Sequence, residues 1–314
     1  MQTPPLPRSL FRFRLIHQSL AQRRGGQLFL GLAFGLTALT ADGLTAQWVQ
    51  ASSGPSSTSI AATAATAPPQ LKELLAKIDA AASQRDLKAV LQFYSESFTQ
   101  SDGLTRQTLE QTLTEFWRNY KTLTYRTQLQ SWQPAGNNGF VAETMTTITG
   151  TQQLEGRELS LKATLSSRQR FENQKITNQE ILSERSQVTS GKTPPVIDLN
   201  LPEQVAVGQE YSFDVIVKQP LGDSLLLGAA LEEPINAKTY LQKAPLKLEL
   251  LPAGGLFKIG RAPNQPMSEW ISAVLIQEAG MTVVSQRLKV VNRISFSRPS
   301  QQSTLQFARQ SLLE

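Results

Sequence analysis

The chain of 314 residues contains no cysteine and a single histidine, His17. Without cysteine it can form no disulfide, use no thiol in catalysis and carry no lipoprotein anchor. His17 lies in the N-terminal 24 residues, so the rest of the chain has no histidine for a serine or cysteine triad or for a zinc site. Gly254-Gly255 lacks the Lys-Ser/Thr that follows a phosphate-binding loop, and it fits a β-turn instead. We therefore expect no metal, no cofactor and no assignable catalytic residue.

An excess of positive charge is also missing from most of the chain, although the formal net charge is +6. Of the 31 basic residues, five arginines lie in residues 1–24, where there is no acidic residue. The remaining basic residues are nearly balanced by the 25 acidic residues, so the rest of the chain is close to neutral. A nucleic-acid-binding domain needs a basic stripe on its own surface. We therefore expect no nucleic-acid partner.

An uncharged apolar run, Leu28–Ala41, follows these arginines. Its 14 residues suit a signal peptide, which needs about 7–15, better than a spanning helix, which needs about 20. Residues 1–49 are predicted to be either a cleaved signal peptide or a membrane anchor. A signal peptide would direct the rest of the chain out of the cytoplasm, and for an anchor the positive-inside rule places it on the same side. The remaining alternative is that this run forms a buried core helix.

Two domains are predicted after a Ser/Ala/Thr/Pro linker at residues 50–69. Residues 70–190 show three amphipathic helices and then four strands joined by hairpins, which is an α+β pattern. The helix stripes include Leu71, Leu74, Leu75, Ile78 and Ala82 in the first helix, and Leu87, Val90, Leu91 and Tyr94 in the second. Residues 194–292 show about seven short strands, as in an immunoglobulin-like sandwich. Residues 293–314 form a polar tail.

Residues 70–190 resemble the nuclear transport factor 2-like superfamily, which includes ketosteroid isomerases and polyketide cyclases. The resemblance rests on the sequence RDLKAV at 85–90, on Phe93-Tyr94-Ser95 and Phe98, on strands that end in Ser167 to Phe171, and on the order of the elements. It implies a cone-shaped curved antiparallel sheet packed on three N-terminal helices, with a ligand in the mouth of the cone in many members. Residues 194–292 resemble a bacterial immunoglobulin-like domain through the spacing of Val205, Val207, Gly208, Tyr211 and Phe213. The resemblance of residues 70–190 to the nuclear transport factor 2-like superfamily also suggests a homodimer through the open sheet.

Aromatic and acidic residues of the first domain are the candidates for a pocket: Tyr94, Trp117, Tyr120, Tyr125, Trp132 and Glu143. Packing of the large aromatic residues in the core is the alternative to a pocket. Family isomerases use a carboxylate base and a hydrogen-bonded oxyanion hole, for which Asp102 and Glu143 are the carboxylate candidates. Asp102 also fits a turn beside Gly103. Glu143 is interesting only if its side chain faces inward.

The sequence therefore favours a non-catalytic extracytoplasmic protein that binds a partner protein or an apolar small molecule. An isomerase-like or cyclase-like enzyme that uses a carboxylate and a tyrosine is the first alternative. A structural spacer without a pocket is the second. The membrane is an expected partner through the N-terminal segment.

Overall fold

The computed structural model describes residues 62–292 except 137, 155, 221–223, 242–245 and 253. The predicted leader with Leu28–Ala41, most of the linker and the predicted tail lie outside the described residues. Within the described part of the chain, no helix is long and apolar enough to cross a membrane.

Three helices open the described chain after a two-residue strand, β1 (Ala62–Thr63). They are α1 (Pro69–Ser83), α2 (Leu87–Gln92) and α3 (Arg106–Arg118). The Asp86 carboxylate caps α2 by accepting from the backbone N–H of Ala89 at 2.9 Å, and Thr105 forms a capping box with Thr108 at the start of α3. The predicted stripe of α1 is buried at Leu71, Leu74, Leu75 and Ala82.

The prediction that Tyr94 belongs to the second helix is wrong. The helix ends at Gln92, and Tyr94 begins strand β2 (Tyr94–Gln100). This strand runs parallel to a strand that lies about 80 residues later in the chain, β6 (Lys175–Gly191). A pairing between segments so distant in sequence overrides the local helical pattern.

Four long antiparallel strands form the sheet that carries the helices. They are β3 (Thr122–Pro134), β4 (Gly139–Leu154), β5 (Arg157–Glu172) and β6, each paired with the next. The register shifts once between β3 and β4 and twice between β5 and β6, and such bulges bend strands. The expectation of a mostly antiparallel sheet with few helices is thereby confirmed.

The remaining strands form two facing sheets. They are β7 (Ile197–Asn200), β8 (Gln204–Ala206), β9 (Glu210–Val217), β10 (Leu227–Pro234), β11 (Glu249–Leu250), β12 (Gly255–Arg261), β13 (Met267–Gln277) and β14 (Gly280–Val291). One sheet has the order β12-β9-β7. It encloses a second core with β13 and β14, in which Phe213, Val215, Ile271, Leu275 and Leu288 are buried. The immunoglobulin-like order of these strands stays a prediction.

Strand β14 joins the two halves of the described chain into one continuous sheet. Its residues Gly280–Gln286 pair with Arg185–Gly191 of β6, which gives a path of nine strands from β1 to β11, and β2 and β8 pair beside this path to complete an eleven-stranded sheet. The sequence predicted separate sheets and did not indicate this pairing. The pairing covers an edge of β6 that would otherwise present unpaired backbone groups. Strand β2 covers the other part of the same edge at Ile176–Gln179.

Candidate functional site

A cavity of about 170 Å³ lies between the helices and the sheet. Apolar side chains dominate its wall. The lining comprises Leu75, Ile78, Asp79, Ala82, Val90, Tyr94, Gln100, Leu104, Leu109, Thr112, Leu113, Phe116, Trp117, Tyr125, Thr127, Thr146, Ile148, Leu165, Gln169, Gln179, Ile181, Glu184, Tyr240 and Trp270. Two of these residues, Tyr240 and Trp270, come from the second half of the chain, so both halves form the cavity.

Three glutamines form a row across the sheet and line the cavity. Gln100 of β2 is paired with Gln179 of β6, and Gln179 is paired with Gln169 of β5. The side-chain oxygens of Gln100 and Gln169 are buried and have no hydrogen-bond partner among the described residues. Because a buried polar group without a partner is destabilising, these two carbonyl groups indicate a place for a hydrogen-bond donor.

Two tyrosines and a tryptophan give the cavity a fixed aromatic wall. The Trp117 indole N–H donates to the Tyr125 hydroxyl at 2.8 Å, which orients both side chains. Burial raises the pKa of Tyr94 to about 12. Burial also raises the pKa of Tyr125, an effect that the Trp117 hydrogen bond opposes. Both phenols therefore remain neutral hydrogen-bonding groups at physiological pH.

Asp79 is a carboxylate in the cavity wall that sequence reasoning missed. Its two oxygens accept from the backbone N–H and the hydroxyl of Thr127, both at 2.6 Å. The signal was present in the sequence, since Asp79 stands four residues after Leu75 and therefore lies on the apolar face of α1.

A buried ionic cluster includes the cavity-lining residue Glu184 and extends away from the cavity. The guanidinium of Arg287 binds both oxygens of Asp102 at 2.9 and 2.8 Å and one oxygen of Glu184 at 3.0 Å. The Tyr240 hydroxyl donates to Asp102 at 2.6 Å, and the Trp270 indole N–H donates to Glu184 at 3.1 Å. The side chain of Arg287 is only 1% exposed. We call these five residues the junction cluster, because they join the turn after β2, strand β6 and the second half of the chain.

The electrostatics of the junction cluster keep Arg287 charged. Burial lowers the pKa of Arg287, but the nearby carboxylates of Glu184 and Asp102 outweigh this effect and raise it overall. Burial, together with the same two carboxylates, raises the pKa of Tyr240 well above its ordinary value. Tyr240 therefore acts as a neutral donor to Asp102. The position of the cluster follows from the sheet, since Glu184 lies between the parts of β6 that β2 and β14 cover.

Three of the predicted pocket residues line the cavity, namely Tyr94, Trp117 and Tyr125. The other three do not. Tyr120 packs against Phe116, with ring centroids 4.9 Å apart. Trp132 contacts Phe140 at the far end of β3 and β4, with ring centroids 6.0 Å apart.

Glu143 and Asp102, the predicted carboxylate candidates, do not line the cavity either. Glu143 faces outward and forms an ion pair with Arg168 at 2.7 Å, its side chain 37% exposed. Asp102 does lie at a turn, but its carboxylate is buried and bound to Arg287, and the sequence did not indicate that partner. Within the described ranges, no group of three acidic or histidine side chains could hold a metal ion.

Comparison with known proteins adds a family description for the second half of the chain. A family model described as "Domain of unknown function (DUF8623)" matches residues 192–291. No curated protein matches the chain.

Several solved structures resemble about a third of the chain. A candidate scytalone dehydratase from Novosphingobium aromaticivorans is 9% identical over 36% of this chain and 80% of its own, with a TM-score of 0.31. A hypothetical protein with a ketosteroid isomerase-like fold from Catenulispora acidiphila, in complex with trimethylamine, is 13% identical over 35% and 83%, with a TM-score of 0.26. A candidate aromatic ring hydroxylase from N. aromaticivorans is 18% identical over 36% and 85%, with a TM-score of 0.27. These neighbours have scytalone dehydratase-like and ketosteroid isomerase-like folds, and they supply no activity for this chain.

Proposed function

We propose that this chain is a non-catalytic protein that binds one small, mostly apolar organic molecule in the cavity between the helices and the sheet. The observation that carries the proposal is an apolar cavity with two buried, unpaired carbonyl oxygens, those of Gln100 and Gln169. Ligand sites are typically apolar with a few polar groups that fix orientation, and this cavity has that composition.

The size of the cavity limits the ligand. An apolar cavity of about 150 Å³ in a protein core is large enough to bind benzene. Pockets for drug-sized molecules measure about 300–1,000 Å³. At about 170 Å³, this cavity suits a molecule with one ring or a short branched chain.

The carboxylates at the cavity favour binding over proton transfer. Both oxygens of Asp79 already accept hydrogen bonds from Thr127, and one oxygen of Glu184 is bound to Arg287 and Trp270. A general base must be able to take up a proton from a substrate within hydrogen-bond reach. Three of the four carboxylate oxygens at the cavity are therefore already bound by groups of the protein itself.

The spacer alternative predicts that aromatic side chains and leucines fill the space between the helices and the sheet. The cavity there argues against this alternative. The location outside the cytoplasm, the membrane anchor and a protein partner or homodimer through the open sheet remain predictions from the sequence.

Binding can be tested on the purified full-length chain with benzene and phenol as probes and thermal unfolding as the readout. We expect both probes to raise the melting temperature saturably, and phenol to bind about five-fold more tightly because its hydroxyl can donate to a glutamine oxygen. Gln169→Leu should remove most of the preference for phenol.

A cavity-filling substitution supplies the control. Ala82→Leu on α1 should abolish binding of both probes, because Ala82 lines the cavity. Ala80→Leu, on the exposed face of the same helix, should bind them like the wild type. Circular dichroism confirms that each variant is folded. The proposal fails if neither probe stabilises the wild type, or if a folded Ala82→Leu variant binds both probes unchanged.

A further inference from the structure

The wall of the cavity carries acidic groups without a basic one. Among the described residues that line it, Asp79 and Glu184 are carboxylates, and none is a lysine or an arginine. The buried guanidinium of Arg287 binds Glu184 but is shared between two carboxylates. The formal charge of Asp102, Glu184 and Arg287 together is therefore negative. A cavity with this charge and a low dielectric favours a positive ligand.

Aromatic rings surround the same space. Tyr94, Phe116, Trp117, Tyr125, Tyr240 and Trp270 all line the cavity. Tyr240 and Trp270 pack edge to face, with ring centroids 4.9 Å apart and an interplanar angle of 78°. The negative faces of aromatic rings attract organic ammonium groups.

The unpaired acceptors indicate the same chemistry. The side-chain oxygens of Gln100 and Gln169 need a hydrogen-bond donor, and a protonated amine offers up to three N–H groups. Hydrogen bonds from a charged donor are stronger than those from a neutral donor. A hydroxyl group could satisfy these oxygens, but it would leave the negative charge of the cavity without a counter-charge.

We propose that the ligand of this cavity is a small protonated amine with an apolar body, for which Asp79 and Glu184 supply the negative charge and the aromatic wall and the glutamine row supply the remaining contacts. This inference rests on the proposed function, because it specifies the class of molecule bound at the same site. It assigns charge selectivity to the cavity, whereas the proposed function requires only size and apolar contact.

Two probes of nearly equal size and shape separate these claims: benzylamine, which carries a positive charge, and benzyl alcohol, which is neutral. Binding to the full-length chain is measured by calorimetry at neutral pH. We expect benzylamine to bind about ten-fold more tightly, in line with a cation–π contact and a nearby carboxylate. Glu184→Gln should reduce this preference at least several-fold. Asp79→Asn provides a second variant in case loss of Glu184 prevents folding, and it should reduce the preference as well.

Glu143→Gln is the matched control, because Glu143 lies on the outer face, away from the cavity. It should leave the preference for benzylamine unchanged. Equal binding of the two probes would overturn the inference and leave the proposed function standing. A preference that no folded carboxylate variant reduces would also overturn it. If neither benzylamine nor benzyl alcohol binds while benzene or phenol does, the inference fails and the proposed function stands; if none of the four probes binds, both fail.

Discussion

Arg287 is the residue whose loss should affect stability most clearly. It makes three hydrogen bonds of 2.8 to 3.0 Å with Asp102 and Glu184. The three side chains are 1%, 5% and 7% exposed, so water cannot compensate for the loss of the guanidinium. Arg287→Met keeps most of the apolar volume but leaves two carboxylates buried beside each other.

The structure sets the expected magnitude. Removing one partner of a buried ion pair destabilises a protein by about 3–5 kcal/mol. Because two carboxylates lose their common partner here, we expect a loss near the upper end, about 5 kcal/mol. Natural domains have free energies of unfolding of only about 5–15 kcal/mol. The variant should therefore be close to the limit of folding.

Urea titration followed by circular dichroism measures this loss as a fall in the free energy of unfolding. Arg185→Met, which removes an exposed arginine from β6, should change it by less than about 0.5 kcal/mol. The triple variant Asp102→Asn, Glu184→Gln, Arg287→Met removes all three charges and should regain most of the loss. A loss below about 1 kcal/mol for Arg287→Met would refute the reasoning, as would a triple variant no more stable than the single one.

Three further predictions use the same titration. Gly191→Ala should lower the free energy of unfolding by about 2–3 kcal/mol, because Gly191 has φ +98° and a Cβ there would lie 2.4 Å from a carbonyl oxygen. Gly156→Ala is the control: Gly156 has φ +77° but open space around it, so the loss should be only about 1 kcal/mol. Equal losses in the two variants would contradict this account. Thr105→Ala removes the capping box of α3 and should lose about 1 kcal/mol, so an unchanged stability would count against the cap. Glu180→Gln should lower the free energy of unfolding at neutral pH, because the hydrogen bond from Lys289 lowers the pKa of Glu180 in the folded state. The loss should be less than about 1 kcal/mol, because the pair is partly exposed. Because the folded-state pKa of Glu180 is lowered, its ionised carboxylate stabilises the protein above pH 4.5, its ordinary pKa, and this contribution is lost as the pH falls further. A difference in stability between the wild type and the variant that persists in acid would contradict this prediction.

The local pattern of the sequence was sufficient for most of the elements. The apolar stripe of α1 and the order of three helices followed by hairpin strands both depend on residues that are close in the chain. At Tyr94 the local pattern gave the wrong secondary structure. Its side chain fits the apolar face of α2, but its backbone pairs with β6, which follows it by about 80 residues.

The candidate site depended mostly on contacts that the sequence does not display. Tyr94, Trp117 and Tyr125 were pocket candidates as aromatic residues of the first predicted domain. The same reasoning also named Tyr120 and Trp132, which do not line the cavity. The row of Gln100, Gln179 and Gln169 could not be named, since ordinary polar residues become a row only when the register of three strands is fixed.

The sequence by itself determined most of the helices and strands, and that no cysteine chemistry is available, because these properties reside in neighbouring residues or in composition. Only the tertiary structure decided that β14 extends the first sheet and that Asp102 meets Arg287 across 185 residues of chain. It also decided that Glu184, rather than Glu143, lies at the cavity. The physical reason is that the side of a sheet to which a strand residue points, and the partner it finds there, are fixed by register and packing between distant segments.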